Sequence, residues 1–346
     1  MSTGLFYHPI FLEHDTGWGH PERAQRLVAI LDEIEKRKDL NNIETVSPDK
    51  ASIKDIQLNH SDNYIKLIQN TSEIKGIKHL DPDTAVCSKS YESALHACGA
   101  VLNAAKSVYE GIYRNAFALV RPPGHHALFS QAMGFCIFNN IAIAAKYLKN
   151  VMGLRKVVII DWDAHHGNGT QDSFYNDPDV LYISLHQFPF YPGTGSANEI
   201  GTGIAKGFNV NIPMFAYSGE NTYLLAIERI ISPIVYQFSP EFILISAGYD
   251  GHYKDPLTQL LLTSNTFFKL SKAVIEMANE VCSGRIIFSL EGGYYLKGLS
   301  QSVVETLRAM VGYNNPVPYP SEELKERNSS MEIEQIIEIQ KRYWKL

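Results

Sequence analysis

An α/β domain built on a parallel sheet is the fold class that the sequence predicts, and three observations predict it. Short apolar runs rich in β-branched residues recur along the chain, longer stretches with helical periodicity separate them, and no linker, internal repeat or low-complexity tract interrupts that rhythm from about Ala116 to Met310. In order, strands are expected at Ala116 to Val120, Val157 to Ile160, Val180 to Leu185, Phe242 to Ile245 and Ile286 to Leu290. Apolar runs of this length without polar alternation suit strands buried on both faces, the habit of parallel sheets. Helices are expected at Pro21 to Arg37, Tyr91 to Glu110, Asn139 to Asn150, Thr222 to Gln237, Ser264 to Val281 and Lys297 to Met310. One domain is expected over residues 1–346, closed by a charged helical tail at about 321–346. In that tail Ile333, Ile336, Ile337 and Ile339 form an apolar stripe for packing on the body or, as the second reading, for a partner.

Composition excludes several classes of function. A chain that is 45% hydrophobic and 20% charged is ordinary for a globular protein. A net charge of -6 with no basic run gives no general attraction to phosphate backbones, so direct nucleic-acid binding is not expected. Met1 to Ile10 carries no basic stretch, and Glu13 and Asp15 interrupt it before an apolar segment of signal-peptide length; neither export nor a membrane partner is expected. Cys87, Cys98, Cys136 and Cys282 are scattered and form no Cys-x-x-Cys pair, which suits reduced thiols in a cytoplasm. A homo-oligomer is compatible with all of this.

Function is signalled by where the polar residues fall. Arg121 to His126, Asp161 to Gly169, His186, Gly248 to Asp250 and Glu291 to Tyr294 each follow directly on an expected strand. In open α/β sheets the carboxyl ends of the strands border the ligand crevice, so these segments converge on one site. Asp163 and His165 alternate along an extended segment and can project to the same side. Asp250, closing another strand, offers a third donor, and Asp/Asp/His with open positions suits a catalytic metal that keeps room for water and substrate. With no thiolate among the donors, ferrous iron, cobalt and manganese compete with zinc. Singly, each feature has a plain structural reading: strand-end aspartates cap helices or bind magnesium, adjacent histidines are often merely hydrogen-bonded, and Tyr294 suits a core. Together they make a complete set for amide hydrolysis: a metal, two histidines and a hydroxyl donor for an oxyanion.

Six segments, Gly19 to Arg23, Leu80 to Thr84, Arg121 to Ala127, Gly134 to Cys136, Asp161 to Gln171 and Leu290 to Tyr294, resemble in sequence and order the histone deacetylase and acetylpolyamine amidohydrolase superfamily. The resemblance runs from about Gly19 to Gly298. It implies an arginase/deacetylase-type α/β fold, an eight-stranded parallel sheet with helices on both faces, which is more strands than the pattern alone yields. It implies one catalytic Zn2+ on Asp163, His165 and Asp250, with Tyr294 as the transition-state tyrosine and His126 as general base and acid. It places His125 against Asp161 in an electrostatic role. Gly134, Phe135 and Tyr191 would line an acyl-lysine tunnel, with Leu257 and Gly293 also on the substrate side and Asp81 or Asp83 at the rim. Structural K+ is implied at Asp161, Asp163, His165, Ser184 and Leu185.

Asn168 stands where class I members have an aspartate behind the second histidine, and agrees with the class II pattern; a neutral partner leaves His126 less basic. The function implied is a zinc-dependent lysine deacetylase acting on the acetamide of acetyl-lysine in proteins or peptides. Acetylpolyamine hydrolysis is the alternative within the superfamily, and Leu257 with the short Gly17 to Pro21 segment favours the lysine-type opening. A catalytically silent acyl-lysine binding module is the alternative from another class, disfavoured because every catalytic group is present. A two-metal ureohydrolase site is disfavoured by Gly167 and His252, which occupy positions where its second metal would want aspartates.

Overall fold

The computed structural model describes residues 2–319 and 324–346. Among them, eight strands form one sheet: β1 (Thr3–Phe6), β2 (Ile43–Val46), β3 (Asn115–Ala118), β4 (Val157–Asp161), β5 (Val180–Gln187), β6 (Asn209–Met214), β7 (Phe242–Ala247) and β8 (Ile286–Leu290). Their order is β2-β1-β3-β8-β7-β4-β5-β6, and every neighbouring pair is parallel. A separate antiparallel ladder joins Lys78–His79 to Ala85–Val86.

All five expected strands are present, and three more lie toward the edges. β1 and β2 are only four residues long, and β2, the last strand on its side, buries none of its residues fully. β6 closes the opposite edge. Its apolar run is broken by Asn209, Asn211 and Pro213, a composition that an edge strand accepts because one of its sides needs no ladder partner.

Helices pack around the sheet. Ser90–Tyr109 lies against Asn140–Asn150, while Ser264–Cys282 lies against Leu296–Met310, which packs in turn on Gln25–Glu35. The first helix starts later than its apolar pattern suggests, at Gln25, and ahead of it the hydroxyl of Thr16 donates to the Glu22 carbonyl. Glu220–Phe238 matches the fourth expected helix but passes through a π-helical turn at Ile227–Ile231. The tail helix Ser330–Gln340 buries Ile333, Ile336 and Ile337 on the body, and the Trp344 indole donates to the Gly207 carbonyl at 2.8 Å. The start of the expected tail, residues 321–323, lies outside the described residues.

Register brings the strand ends level. Asp161 closes β4 opposite Ser184 of β5 and Ser246 of β7, and Leu290 of β8 sits opposite Ala247 of β7. The segments after β3, β4, β7 and β8 therefore leave one edge of the sheet side by side, and they carry the polar residues singled out above.

Candidate active site

The segment after β4 folds around its own carboxylates. The Asp163 amide donates to Asp161 Oδ1 at 3.1 Å and the His165 amide to Asp163 Oδ1 at 2.9 Å. Neighbouring loops join in: Asp250 Oδ1 accepts the Ala164 amide at 2.8 Å, and Gly292 N–H donates to Asp163 Oδ2 at 2.7 Å. These bonds aim both carboxylates at His165, whose Nδ1 lies 2.8 Å from Asp250 Oδ2 and 3.3 Å from Asp163 Oδ1. One donor atom from each of the three residues falls within 4.8 Å of the others, in buried surroundings. Glycine makes the approach possible: a Cβ on Gly292 would sit 2.6 Å from an oxygen of each aspartate, and one on Gly248 would sit 2.2 Å from Asp163 Oδ2. Two oxygens and a nitrogen held this close fit a divalent cation, whose charge the two carboxylates balance.

The charges agree with that fit. Burial opposes ionisation of His165, yet Asp163 and Asp250 push its pKa up to about 10. Burial likewise opposes the Asp163 carboxylate, but His125 and His165 hold it well below the carboxylate range, while burial and the neighbouring Asp163 raise Asp250 to about 6. At neutral pH the proton held on His165 is the one that a cation bound by these three groups would displace.

The two histidines after β3 are differently set. His125 Nδ1 lies 3.0 Å from Asp161 Oδ2, an oxygen that also accepts from the Tyr182 hydroxyl at 3.1 Å. Against the opposing effect of burial, Asp161 and Asp163 raise His125 to about 10, so it carries charge. His126 Nδ1 lies 2.8 Å from Asn168 Oδ1, and burial followed by the charges of His125 and His165 lowers its pKa well below the ordinary value. Two adjacent imidazoles thus have pKa values driven apart, upward at His125 and downward at His126.

A cleft of about 100 Å³ leads to this centre, lined by Asp83, His126, Gly134, Phe135, His165, Tyr191, Leu257 and Tyr294. Its wall at Gly134 and Phe135 has positive φ at both residues, 56° and 68°. The Phe135 conformation is uncommon for a bulky side chain, and it turns the ring edge-on to Tyr294 at 5.8 Å between centroids. Tyr191 meets His126 edge-on at 5.3 Å.

The histone deacetylase domain description matches residues 20–310 of the chain. The chain belongs to the histone deacetylase family. It is 39% identical to a "Probable deacetylase" of Archaeoglobus fulgidus over 100% of its own length and 99% of that protein. It is 41% identical to "Histone deacetylase 10, chloroplastic" of Oryza sativa subsp. japonica, over 85% of this chain and 70% of that one. To "Histone deacetylase 9" of Homo sapiens it is 37% identical over 98% of its length, spanning 37% of that longer protein. Among solved structures, the HDA15 HD domain superposes with a TM-score of 0.90 at 32% identity, over 99% of this chain and 95% of the other. The eight-stranded parallel sheet with helices around it is thus of the arginase/deacetylase type, the fold class expected from the sequence.

Not every expected residue faces the cleft. Of the two rim aspartates, Asp83 lines it, whereas Asp81 Oδ1 accepts the amides of Asp83 and Thr84 and so braces its own turn. Gly293 lies behind Tyr294, its carbonyl accepting from Arg26 Nε at 2.7 Å. Ser184 and Leu185 are buried in β5, the Ser184 hydroxyl 2.9 Å from His186 Nδ1. The structure also adds residues to which the sequence assigned no role. Glu291, fully buried and raised to about 7 by burial, accepts the amides of Gly124 at 2.7 Å and His125 at 3.2 Å, fixing the histidine loop. Glu22 lies between Arg26 and Arg121, bonded to both. Their only signal in the sequence was membership of the Gly19 to Arg23, Arg121 to Ala127 and Leu290 to Tyr294 segments.

Proposed function

We propose that the chain is a zinc-dependent deacetylase that hydrolyses the acetamide of acetyl-lysine in proteins or peptides. The observation that carries this is the buried Asp163, His165 and Asp250 cradle at the bottom of a narrow cleft whose walls hold a neutral histidine and a tyrosine. Asp163, His165 and Asp250 would hold a divalent ion, which when bound would supply Lewis-acid chemistry for the acyl carbonyl and the attacking water. His126, its own proton kept on Nδ1 by Asn168, takes the water's proton at Nε2 and passes it to the departing amine. Tyr294 keeps its proton, since burial raises the phenol well above its usual value, and donates it as a hydrogen bond to the oxyanion. His125, cationic against Asp161, stabilises the negative charge that develops nearby. Phe135 and Tyr191 clasp the methylene stem of the lysine, and the Gly134 carbonyl accepts its N–H.

Zinc as the metal is proposed on family likeness, since an oxygen and nitrogen donor set does not by itself select it. Potassium is proposed on the same likeness alone, because hydrogen bonds already engage the side chains of Asp161 and Ser184. A class II-like enzyme is the reading supported by Asn168 at His126 and by a tyrosine at position 294. The four cysteines are buried and unpaired, in keeping with the proposed cytoplasmic setting. Leu257 in the cleft wall favours acetyl-lysine, while the Asp83 carboxylate there is the observation in favour of the second reading, acetylpolyamine hydrolysis. Kinetics on acetyl-lysine peptides, acetylputrescine and longer acyl-lysines at defined metal loading decide between them. Turnover of the peptides, abolished by chelation and restored by zinc, is the expected result; ligand binding without turnover would leave only a binding module.

A further inference from the structure

Asp255 has no place in the chemistry described above, yet it is 6% exposed and its carboxylate is fully engaged. Oδ2 accepts the backbone amides of Tyr294 at 2.7 Å and Tyr295 at 3.1 Å, and Oδ1 accepts the amide of Leu257 at 3.0 Å. The donors come from two loops. Leu257 belongs to the loop after β7 and lines the cleft; Tyr294 and Tyr295 belong to the loop after β8. One carboxylate thus ties together two segments of the cleft wall that come from different loops.

The loop after β8 has little else of its own to hold it. Gly292 and Gly293 precede Tyr294, Gly293 has a φ of 123°, and residues 291–295 contain no helix or strand. Instead, much of its backbone is held from outside. Arg26 takes the Glu291 and Gly293 carbonyls, Asp163 takes the Gly292 amide, the Tyr249 amide donates to the Gly292 carbonyl at 3.0 Å, and Asp255 takes the two tyrosine amides. Of these partners, Asp255 is the one bonded to Tyr294 itself.

We infer that Asp255 is a positioning residue for the reaction: by accepting the amides of Tyr294 and Tyr295 together with that of Leu257, it sets where the Tyr294 hydroxyl stands in the cleft. This rests on the proposed role of Tyr294 as the oxyanion donor. An oxyanion donor acts over a few tenths of an ångström, and a displacement of about 1 Å in a reacting group costs on the order of a hundredfold in rate. Asp255→Asn is the sharp perturbation because it is isosteric. Its amide presents one oxygen and one NH2, so whichever way it turns, either the tyrosine pair or Leu257 faces a donor instead of an acceptor.

The test is a double-mutant cycle of Asp255→Asn with Tyr294→Phe, read as kcat and KM separately on an acetyl-lysine substrate, with metal content and thermal unfolding measured on the same preparations. Asp255→Asn is expected to lower kcat by roughly tenfold to a hundredfold with KM little changed, and to cost almost nothing further once Tyr294 is already Phe. The same fold-loss in both backgrounds, a loss confined to KM, or a loss that follows metal content would overturn the inference while leaving Tyr294 in its role. A Tyr294→Phe enzyme with wild-type kcat would remove that role, and the inference with it. Should Asp255→Asn not fold, Asp255→Ser, whose hydroxyl still accepts an N–H, carries the same cycle with the same criteria.

Discussion

The His126 imidazole and the Asn168 amide meet at 2.8 Å, Nδ1 to Oδ1, and an amide oxygen can only accept, so the proton of neutral His126 is fixed on Nδ1 and Nε2 is left basic. Replacing Asn168 with Asp keeps that geometry and adds a negative charge, which favours the protonated imidazole. The pKa of His126, lowered in the native protein by burial and by His125 and His165, therefore rises. Because the base works only when unprotonated, the acidic limb of the kcat/KM profile moves to higher pH in Asn168→Asp, with metal content unchanged. An acidic limb that stays in place would break the link between Asn168 and the base.

Tyr294→Phe keeps the ring contact with Phe135 and removes the hydroxyl. Turnover is expected to fall by about a hundredfold to a thousandfold with little change in KM, the mark of a group that acts on the transition state. Tyr295 packs against His252 at 5.7 Å between ring centroids and is absent from the cleft wall, so Tyr295→Phe serves as the near-normal control. A large loss in the control instead would exchange the two assignments.

Metal uptake should release protons. In the metal-free protein His165 is held up to about 10 by Asp163 and Asp250, despite its burial, so at neutral pH it carries the proton that a cation must displace. Affinity therefore rises with pH. Calorimetric titration of metal-free protein with Zn2+, in buffers of different ionisation enthalpy, should count about one proton or more released per ion. Asp163→Ala and Asp250→Ala should each abolish stable binding, and full occupancy in either variant would exclude that residue as a ligand.

Much of this was legible in the chain because the informative residues are local. β4, β7 and β8 lie inside the sheet, and their five or six consecutive buried residues are mostly apolar and β-branched, which marks them as strands rather than helix segments. Asp163 and His165 sit two residues apart on an extended segment, so their projection to the same side follows from local alternation. What escaped depends on partners far away in sequence. β6 buries Asn209 and Asn211 because the side chain of Gln171 accepts from both, at 2.9 Å and 2.8 Å, and nothing within the strand announces that partner. Glu291 reads as an ordinary acid until β8 places it beneath Gly124 and His125, and so does Asp255 until its carboxylate takes the amides of Leu257, Tyr294 and Tyr295.

Glu22 tests the deepest of these unannounced contacts. Its side chain is fully buried between Arg26, at 3.0 Å, and Arg121, with His14 Nε2 at 3.7 Å. Burial alone would raise the carboxyl, but Arg121 and then Arg26 outweigh it and hold it far below the usual range. The folded pKa thus lies under the unfolded value of about 4.3, so the group's contribution to stability is complete above that pH and is lost as pH falls toward the folded value. Glu22→Gln keeps the shape and strands two buried guanidinium groups without their counter-charge, which should cost on the order of 3–5 kcal/mol at neutral pH. The gap between wild type and variant should then narrow as pH falls below about 4, where the wild-type protein begins to lose the same interaction. Denaturant unfolding at pH 7 and in the acid range checks both parts. A gap that stays constant with pH would mean that Glu22 contributes through packing rather than through charge.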